Sequence, residues 1–320
     1  MKAERLALLL VVVLTIGVPL AAVVARSNPD AIAVRAQMAD DGGWTPGDLA
    51  VAMGQPLHLR LTSDDVVHSF AVGHSAIPAV DVLPGQWTTT TLMFDQPGKY
   101  TFYCTRWCGP NHWRMRGTIE VTGDVTNTTP IIPPLYVTLN LDLDAPHPSE
   151  VVPSERPSAT RGAALGLKID RAWEAAESPA QLWQQLRSDA STKNLSDDQV
   201  WDLVALAWRS NTTPERLAEG QQLYAQNCAA CHGETGKGDG VIAPTLQKTP
   251  MSGMSMSGHE TVAPIAFTDA KSMLGASDAI LEGKIVRGGM GTGMPYWGPI
   301  FTAEQIQVVV EYLWTFQFDR

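Results

Sequence analysis

Lys99-Tyr-Thr-Phe-Tyr-Cys104-Thr-Arg-Trp-Cys108-Gly-Pro-Asn-His112-Trp-Arg-Met115 governs how the first half of the chain folds. Its opening residues alternate, so Tyr100, Phe102 and Cys104 share one face, the period of a half-buried strand. Beyond them comes a loop carrying two thiols, an imidazole and a thioether. On the N-terminal side, Leu57-His-Leu-Arg-Leu-Thr62 alternates strictly, and Thr88-Thr-Thr-Thr-Leu-Met-Phe94 is a third strand-like run. Gln96-Pro-Gly98 is a turn signal, and Gly117-Thr-Ile-Glu-Val121 closes the set. Short strands with turns between them predict an all-β sandwich. On this pattern His58 lies on the face of Arg60 and is expected toward solvent.

The loop belongs with a second string upstream, Ser63-Asp-Asp-Val-Val-His68-Ser-Phe70. Two cysteines, two histidines and a methionine are soft-to-borderline donors that suit copper. A mononuclear copper site needs one Cys, two His and a weak Met. Here a second Cys supplies enough sulfur to bridge two metals. Zinc would not require the Met, and the paired His-x3–5-His it commonly uses is absent. A disulfide between Cys104 and Cys108 would leave His68, His112 and Met115 without a role. His74, six residues after His68, is expected near this site but not as a ligand.

Residues 122–160 are rich in Pro, Thr and Asp and predict a semi-extended linker. From about 161 the period becomes helical, with Trp173, Leu182, Trp183 and Leu186 at helical spacings and an N-cap at Ser196. Ser196–Trp208 aligns without a gap on Thr302–Trp314. That similarity reads either as a degenerate haem-less copy or as two similar amphipathic helices. Residues 161–210 contain no Cys or His, so they are expected to bind no cofactor and to bury their apolar face by docking. Cys228-Ala-Ala-Cys231-His232 is the c-type haem attachment signature: the thiols add to the haem vinyl groups and His232 becomes an axial ligand. The sixth ligand should be a Met on a later loop, Met294 with Met290 as runner-up. Met251-Ser-Gly-Met-Ser-Met-Ser-Gly-His259 could bind Cu(I) or be a polar insertion.

The chain has 320 residues, room for two cores, and is 44% hydrophobic and 18% charged, which reads as globular. Its net charge of -10, with the acid excess concentrated in 122–227, and its lack of a Lys/Arg cluster exclude nucleic acid as a partner. Residues 6–25 are apolar and uncharged, long enough to cross a bilayer as one helix. Lys2 and Arg5 put the N-terminus in the cytoplasm and everything after Arg26 on the periplasmic or extracellular side of the plasma membrane. The alternative is a cleaved signal peptide ending near Val23-Val-Ala25, which exports the same residues.

On the copper string, residues 44–121 resemble the CuA domain of haem-copper oxidase subunit II, and 214–317 resemble a class I cytochrome c through Cys228–His232, Gly233–Gly240 and Gly293-Met294-Pro295. The resemblance implies a cupredoxin-like sandwich plus an all-α cytochrome c domain behind one N-terminal transmembrane helix. It also implies a division into a membrane anchor (1–26), a CuA domain (27–121), a linker (122–160), a helical connector (161–213) and a cytochrome c domain (214–320). Cys104 and Cys108 would bridge two coppers, His68 and His112 would bind one each, and Met115 and the backbone carbonyl of Arg106 would be weak ligands. Many members carry Glu where Arg106 stands and use it to bind magnesium, so no such site is expected. Cys228, Cys231, His232 and Met294 would hold one covalent haem c. Helix 302–316 would cross the helix containing Gly220 and Tyr224. The implied function is that of the electron-entry subunit of a membrane terminal oxidase. It would pass electrons from a soluble or membrane donor through haem c and CuA to subunit I, with no catalytic residue of its own. The corresponding subunit of a nitric oxide reductase and a free-standing membrane-anchored shuttle are the alternatives. Nitrous oxide reductase is rejected, because its large His-rich domain is missing.

Overall fold

The alternating runs form the strands their period predicts. In the computed structural model, which describes residues 15, 30–75, 77–109, 111–124, 133–167, 173–246, 263–289 and 293–319, the described strands are β1 (Ile32–Ala36), β2 (Trp44–Thr45), β3 (Asp48–Ala52), β4 (Leu57–Ser63), β5 (His68–Val72), β6 (Val80–Val82), β7 (Thr88–Leu92), β8 (Gly98–Tyr103) and β9 (Arg116–Thr122). They make two sheets, ordered β2-β1-β4-β7 and β3-β9-β8-β5-β6. Leu57, Leu59 and Leu61 of β4 point inward against Phe70 of β5 and Phe102 of β8. Phe70 and Phe102 stack at 5.0 Å, and Trp44 meets Phe70 edge-on at 5.6 Å. Each such buried aromatic contributes roughly 1.5–3 kcal/mol of transfer free energy. His58, on the outer face, bonds Thr91 Oγ1 through Nδ1 at 3.0 Å.

Register sets the position of the metal loop. β8 and β9 pair antiparallel with Tyr103 opposite Arg116, so residues 104–115 are the connection of a hairpin. β5 lies beside β8 with Ala71 opposite Tyr103, which brings His68 to the same end of the sheet.

The second half is helical: α1 (Leu135–Thr138), α2 (Ala159–Ala164), α3 (Pro179–Ser188), α4 (Asp197–Ser210), α5 (Pro214–Asn227), α6 (Ala229–His232), α7 (Ala243–Leu246), α8 (Ala270–Met273), α9 (Asp278–Arg287) and α10 (Ala303–Leu313). The two aligned sequences become α4 and α10, and each starts with a reciprocal capping box, Ser196 with Gln199 and Thr302 with Gln305. A Ser or Thr cap is worth about 1 kcal/mol over Ala. The likeness extends to packing. A Cβ on Gly162 of α2 would overlap the Asp202 carbonyl and approach Leu206 of α4; one on Gly220 of α5 would overlap the Val308 carbonyl and approach Tyr312 of α10. Asp202 aligns with Val308, and Leu206 with Tyr312. Two helix pairs therefore cross at the same aligned points, each through a glycine that lets the backbones touch. The terminal tryptophans, Trp208 and Trp314, flank Phe318 at 5.6 and 5.9 Å. Tyr224 meets Tyr312 at 5.3 Å, so the crossing at Gly220 and Tyr224 is present as expected.

The segments before these pairs pack on the same core. Trp173 Nε1 and Trp314 Nε1 both donate to the half-buried Asp278 carboxylate, at 2.7 and 2.6 Å. The Pro-rich run keeps little regular structure, as its composition suggests, but its described part does not extend into solvent. Leu143 is buried in the helical core, Ser149 N bonds Lys271 O at 2.8 Å, and Arg156 Nη2 donates to the carbonyls of Thr315 and Phe318. Apolar residues scattered among the prolines give it a surface to bury, which composition alone hides. Apart from Thr15, the apolar stretch 1–26 lies outside the described residues, as do Met251–His259 and Met290. Among the described residues no helix is long and apolar enough to cross a membrane.

Candidate copper and haem centres

The hairpin end gathers every donor the copper string named. Cys104 follows β8, Met115 precedes β9, and His112 opens a short 3-10 turn after Asn111, whose φ is 57°. Cys104 Sγ lies 4.0 Å from Cys108 Sγ, 3.9 Å from His68 Nδ1 and 3.3 Å from the Arg106 carbonyl. Cys108 Sγ lies 3.5 Å from His112 Nδ1 and 3.5 Å from Met115 Sδ. Both imidazoles thus aim Nδ1 at a sulfur. His68, Cys104, Cys108, His112 and Met115 are all buried. The cysteines are free; a disulfide would bring the sulfurs to about 2.05 Å.

The surroundings explain why this cluster is stable enough to form. The hydrogen bond shared with Cys108, together with those from His112 and His68, favours Cys104 as a thiolate, and the same bond and burial keep Cys108 protonated. Ser69 N donates to Cys104 Sγ at 3.4 Å. His68 Nε2 is 2.7 Å from Asp65 Oδ1. Burial pushes the Asp65 carboxyl up, but the bonds from His68, Met38 N and Val66 N outweigh it and hold the group below its usual range. A carboxylate on the outer nitrogen fixes the ring and raises the basicity of the inner one. The donor set, three sulfurs and two imidazoles in one buried cluster, fits copper. The Arg106 side chain turns away from it and grips Asp81 with two bonds, at 2.8 and 2.7 Å. Asp65 escaped the sequence reading, although its place three residues before His68 was a usable signal. His74 lies away from the sulfurs; its Nε2 is 2.7 Å from the Gly298 carbonyl of the helical region.

The helical region builds a different kind of site. Cys228 closes α5, and α6 carries Cys231 and His232 into a cavity of about 520 Å³. Cys228, Cys231, His232, Ile265, Met294 and Trp297 line it, and His232 and Met294 also line a second cavity of about 300 Å³ with Phe267. These volumes lie in the range of cofactor sites, ~300–1,000 Å³. His232 Nδ1 is 3.1 Å from the Ile265 carbonyl, which leaves Nε2 as the nitrogen that could ligate a metal, and its ring stacks on Phe267 at 4.5 Å. Tyr224 Oη donates to Gly233 O at 2.6 Å and pins the turn after the motif. Burial pushes the Cys228 thiol up to about 12 and Cys231 up to about 11, so neither is a thiolate near neutral pH. Thiols held neutral beside His232 and a large cavity fit a thioether-linked haem better than a charged zinc or redox pair. Met290 lies outside the described residues.

With both sites in view, the relatives are informative. The model of the "Cytochrome C oxidase subunit II, periplasmic domain" family matches residues 45–122, and that of the "Cytochrome c" family matches 217–317. A subunit II domain is followed by a cytochrome c domain. Cytochrome c oxidase subunit 2 of Thermus thermophilus is 39% identical over 79 residues, which is 25% of this chain and 58% of that protein. The counterpart from a second Thermus thermophilus source is also 39% identical, over 46% of its length. The chain spans about half the length of the curated relatives it matches. Among solved structures, the periplasmic domain of cytochrome oxidase subunit II of Bradyrhizobium japonicum is 26% identical, covering 24% of this chain and 55% of that one, with a TM-score of 0.23. A chain of a heme-copper terminal oxidase dimer is 23% identical over 38% of this chain and 99% of its own, with a TM-score of 0.25. The subunit II domain implies copper, and the cytochrome c domain implies haem c.

Proposed function

We propose that the chain is the electron-entry subunit of a membrane haem-copper terminal oxidase. It receives electrons from a soluble or membrane donor at haem c, passes them to a dinuclear copper centre, and delivers them to subunit I. The observation that carries this reading is the buried cluster of Cys104, Cys108, His68, His112 and Met115 on the same chain as the Cys228–His232 haem motif. In this reading Cys104, Cys108, His68 and His112 would hold two coppers through the two shared thiolates and one imidazole each, and Met115 and the Arg106 carbonyl would be the weak ligands. Cys228 and Cys231 would form the thioether links, and His232 and Met294 would ligate the haem iron. The metals supply one-electron chemistry; the chain's residues fix their position and tune their potential.

The working division is an anchor at 1–26 with its N-terminus in the cytoplasm, a copper domain at 27–121, a connection at 122–160, a helical connector at 161–213 and a haem domain at 214–320. The matched glycine crossings of α2 with α4 and α5 with α10 support reading the connector as a haem-less copy of the terminal helix pair. Metal and haem analysis of the full chain tests the proposal. Two coppers with a delocalised mixed-valence electron paramagnetic resonance signal, and one covalent haem with a sulfur-to-iron band, are expected. One copper with a blue-site spectrum would overturn it. Co-purification with a large haem-bearing membrane subunit that reduces O2 is expected; recovery alone would favour a shuttle, and a partner that reduces NO would favour the reductase.

A further inference from the structure

The copper-binding region and the haem-binding region touch at several described points, one of them a single charged side chain, Arg116. Arg116 follows Met115 directly and opens β9. Its Nη1 donates to the Tyr296 carbonyl at 2.9 Å. Tyr296 stands two residues after Met294. The guanidinium also lies over the Tyr296 ring at 4.8 Å and the Trp297 ring at 5.4 Å, and its buried Nη2 has no hydrogen-bond partner among the described residues. Aromatic faces attract a desolvated guanidinium in that position and account for a nitrogen that is otherwise costly to bury. An arginine guanidinium stays charged in proteins, so the contact carries a full positive charge. Beside it, His74 N donates to Ile300 O at 3.0 Å and His74 Nε2 meets Gly298 O at 2.7 Å. At Gly73 an added Cβ would stand 2.6 Å from the Pro299 carbonyl and 2.8 Å from Ile300 Cα, so the two backbones are in direct contact.

We propose that Arg116 is the latch that holds the copper-binding and haem-binding regions in one fixed relation, a positioning residue for electron transfer between them. The inference rests on the relay reading above. Interfaces between domains of one chain are commonly small and mobile. This one places a half-buried, charged, planar donor between the segments that carry Met115 and Met294. A fixed relation lets an electron cross without waiting for domains to meet. In that reading one electron would pass from a reduced haem to an oxidised copper pair, and no bond or proton would be exchanged.

The test uses the full chain with Arg116→Met, Arg116→Lys and Gly73→Ala, the last a wedge in the same interface remote from the metal loop. Two readouts are needed: hydrogen-exchange protection of the His74 amide, and flash-induced haem-to-copper transfer across a glycerol series. Wild type should show a protected His74 amide and a rate independent of viscosity. Arg116→Met should lose at least tenfold of both protection and rate, and its rate should fall with viscosity. Arg116→Lys, keeping charge without the planar fork, should recover part of the loss. If Arg116→Met disturbs copper binding, Gly73→Ala decides, and it should show the same two losses. Wild-type protection and viscosity-independent transfer in Gly73→Ala and in a copper-replete Arg116→Met would overturn the latch. A wild-type chain lacking copper or haem would instead overturn the relay reading; the His74 protection still tests the latch in that case.

Discussion

The copper region and the haem region build their candidate metal sites by opposite constructions. In the β-sandwich, four of the side-chain donors come from the single loop 104–115, and the fifth, His68, starts the adjoining strand. The sandwich core of Phe70, Phe102 and Leu59 is complete without the metal. In the helical region His232 and Met294 come from distant segments, and between them lies a cavity of about 520 Å³ lined by α6, α9 and residues of the Pro-rich run. A metal can add to the first region after it has folded. A cofactor filling that cavity would be part of the interior of the second, so its binding free energy would also be folding free energy.

Removing the haem puts this contrast under the greatest strain. Cys228→Ala with Cys231→Ala should destabilise the helical region by at least about 4 kcal/mol, the effect of losing a ligand present at ~1,000 times its Kd. The sandwich should be unaffected. Hydrogen exchange read separately over 30–124 and 173–319 checks this, and equal protection before and after would erase the distinction. Next in size is Cys104→Ser. It should abolish the two-copper signal, while the thermal midpoint of the metal-free sandwich moves by no more than ~8 °C, the shift of about 1 kcal/mol in a small domain. Collapse of the metal-free variant would show that this site, too, is part of its core.

A smaller effect concerns Asp278, whose carboxyl burial pushes up to about 6 despite its two indole donors. The folded value lies above the ordinary unfolded one of about 3.9. Its contribution to stability is therefore full below about pH 4 and is lost as pH rises through 6, a change of about 3 kcal/mol. Asp278→Asn should flatten that part of the stability profile of the helical region, as followed by helical circular dichroism from pH 4 to 7. An unchanged slope would mean the carboxyl is not buried as described. The smallest effect is at the copper site's rim. Asp65→Asn should weaken copper binding by about 10–100-fold without changing the ligand set, because it removes only the group that orients His68. A competition titration measures it, and wild-type affinity would show that the fold of β5 alone orients the ring.

The parts legible in the sequence were local. β4 follows from strict alternation, β7, β8 and β9 from strand-like runs bounded by turns, and α4 and α10 from caps at Ser196 and Thr302 followed by a 3.6-residue period. The donors at 104–115 and 228–232 are recognisable because chelation and thioether attachment demand particular residue types at short spacing. Arg116 gave no such signal: a single arginine at a strand start looks like any solvated charge. Asp278 likewise looks like an ordinary acid at a helix start until two tryptophans, one more than a hundred residues away, are seen to converge on it.

The order of residues alone dictated the two architectures, the two donor sets and the near-repeat of α4 in α10. Each depends on backbone periodicity or on groups a few residues apart, and both are written directly in the order of side chains. Packing in three dimensions, and nothing before it, established that the Pro-rich run wraps the helical core and that a second helix pair crosses through Gly162. The same holds for the contact of Arg116 and His74 with residues 296–300. These depend on which surfaces fit together after the elements form. Shape complementarity between segments far apart in the chain leaves no period and no motif, so it becomes visible only when the packed backbone fixes who meets whom.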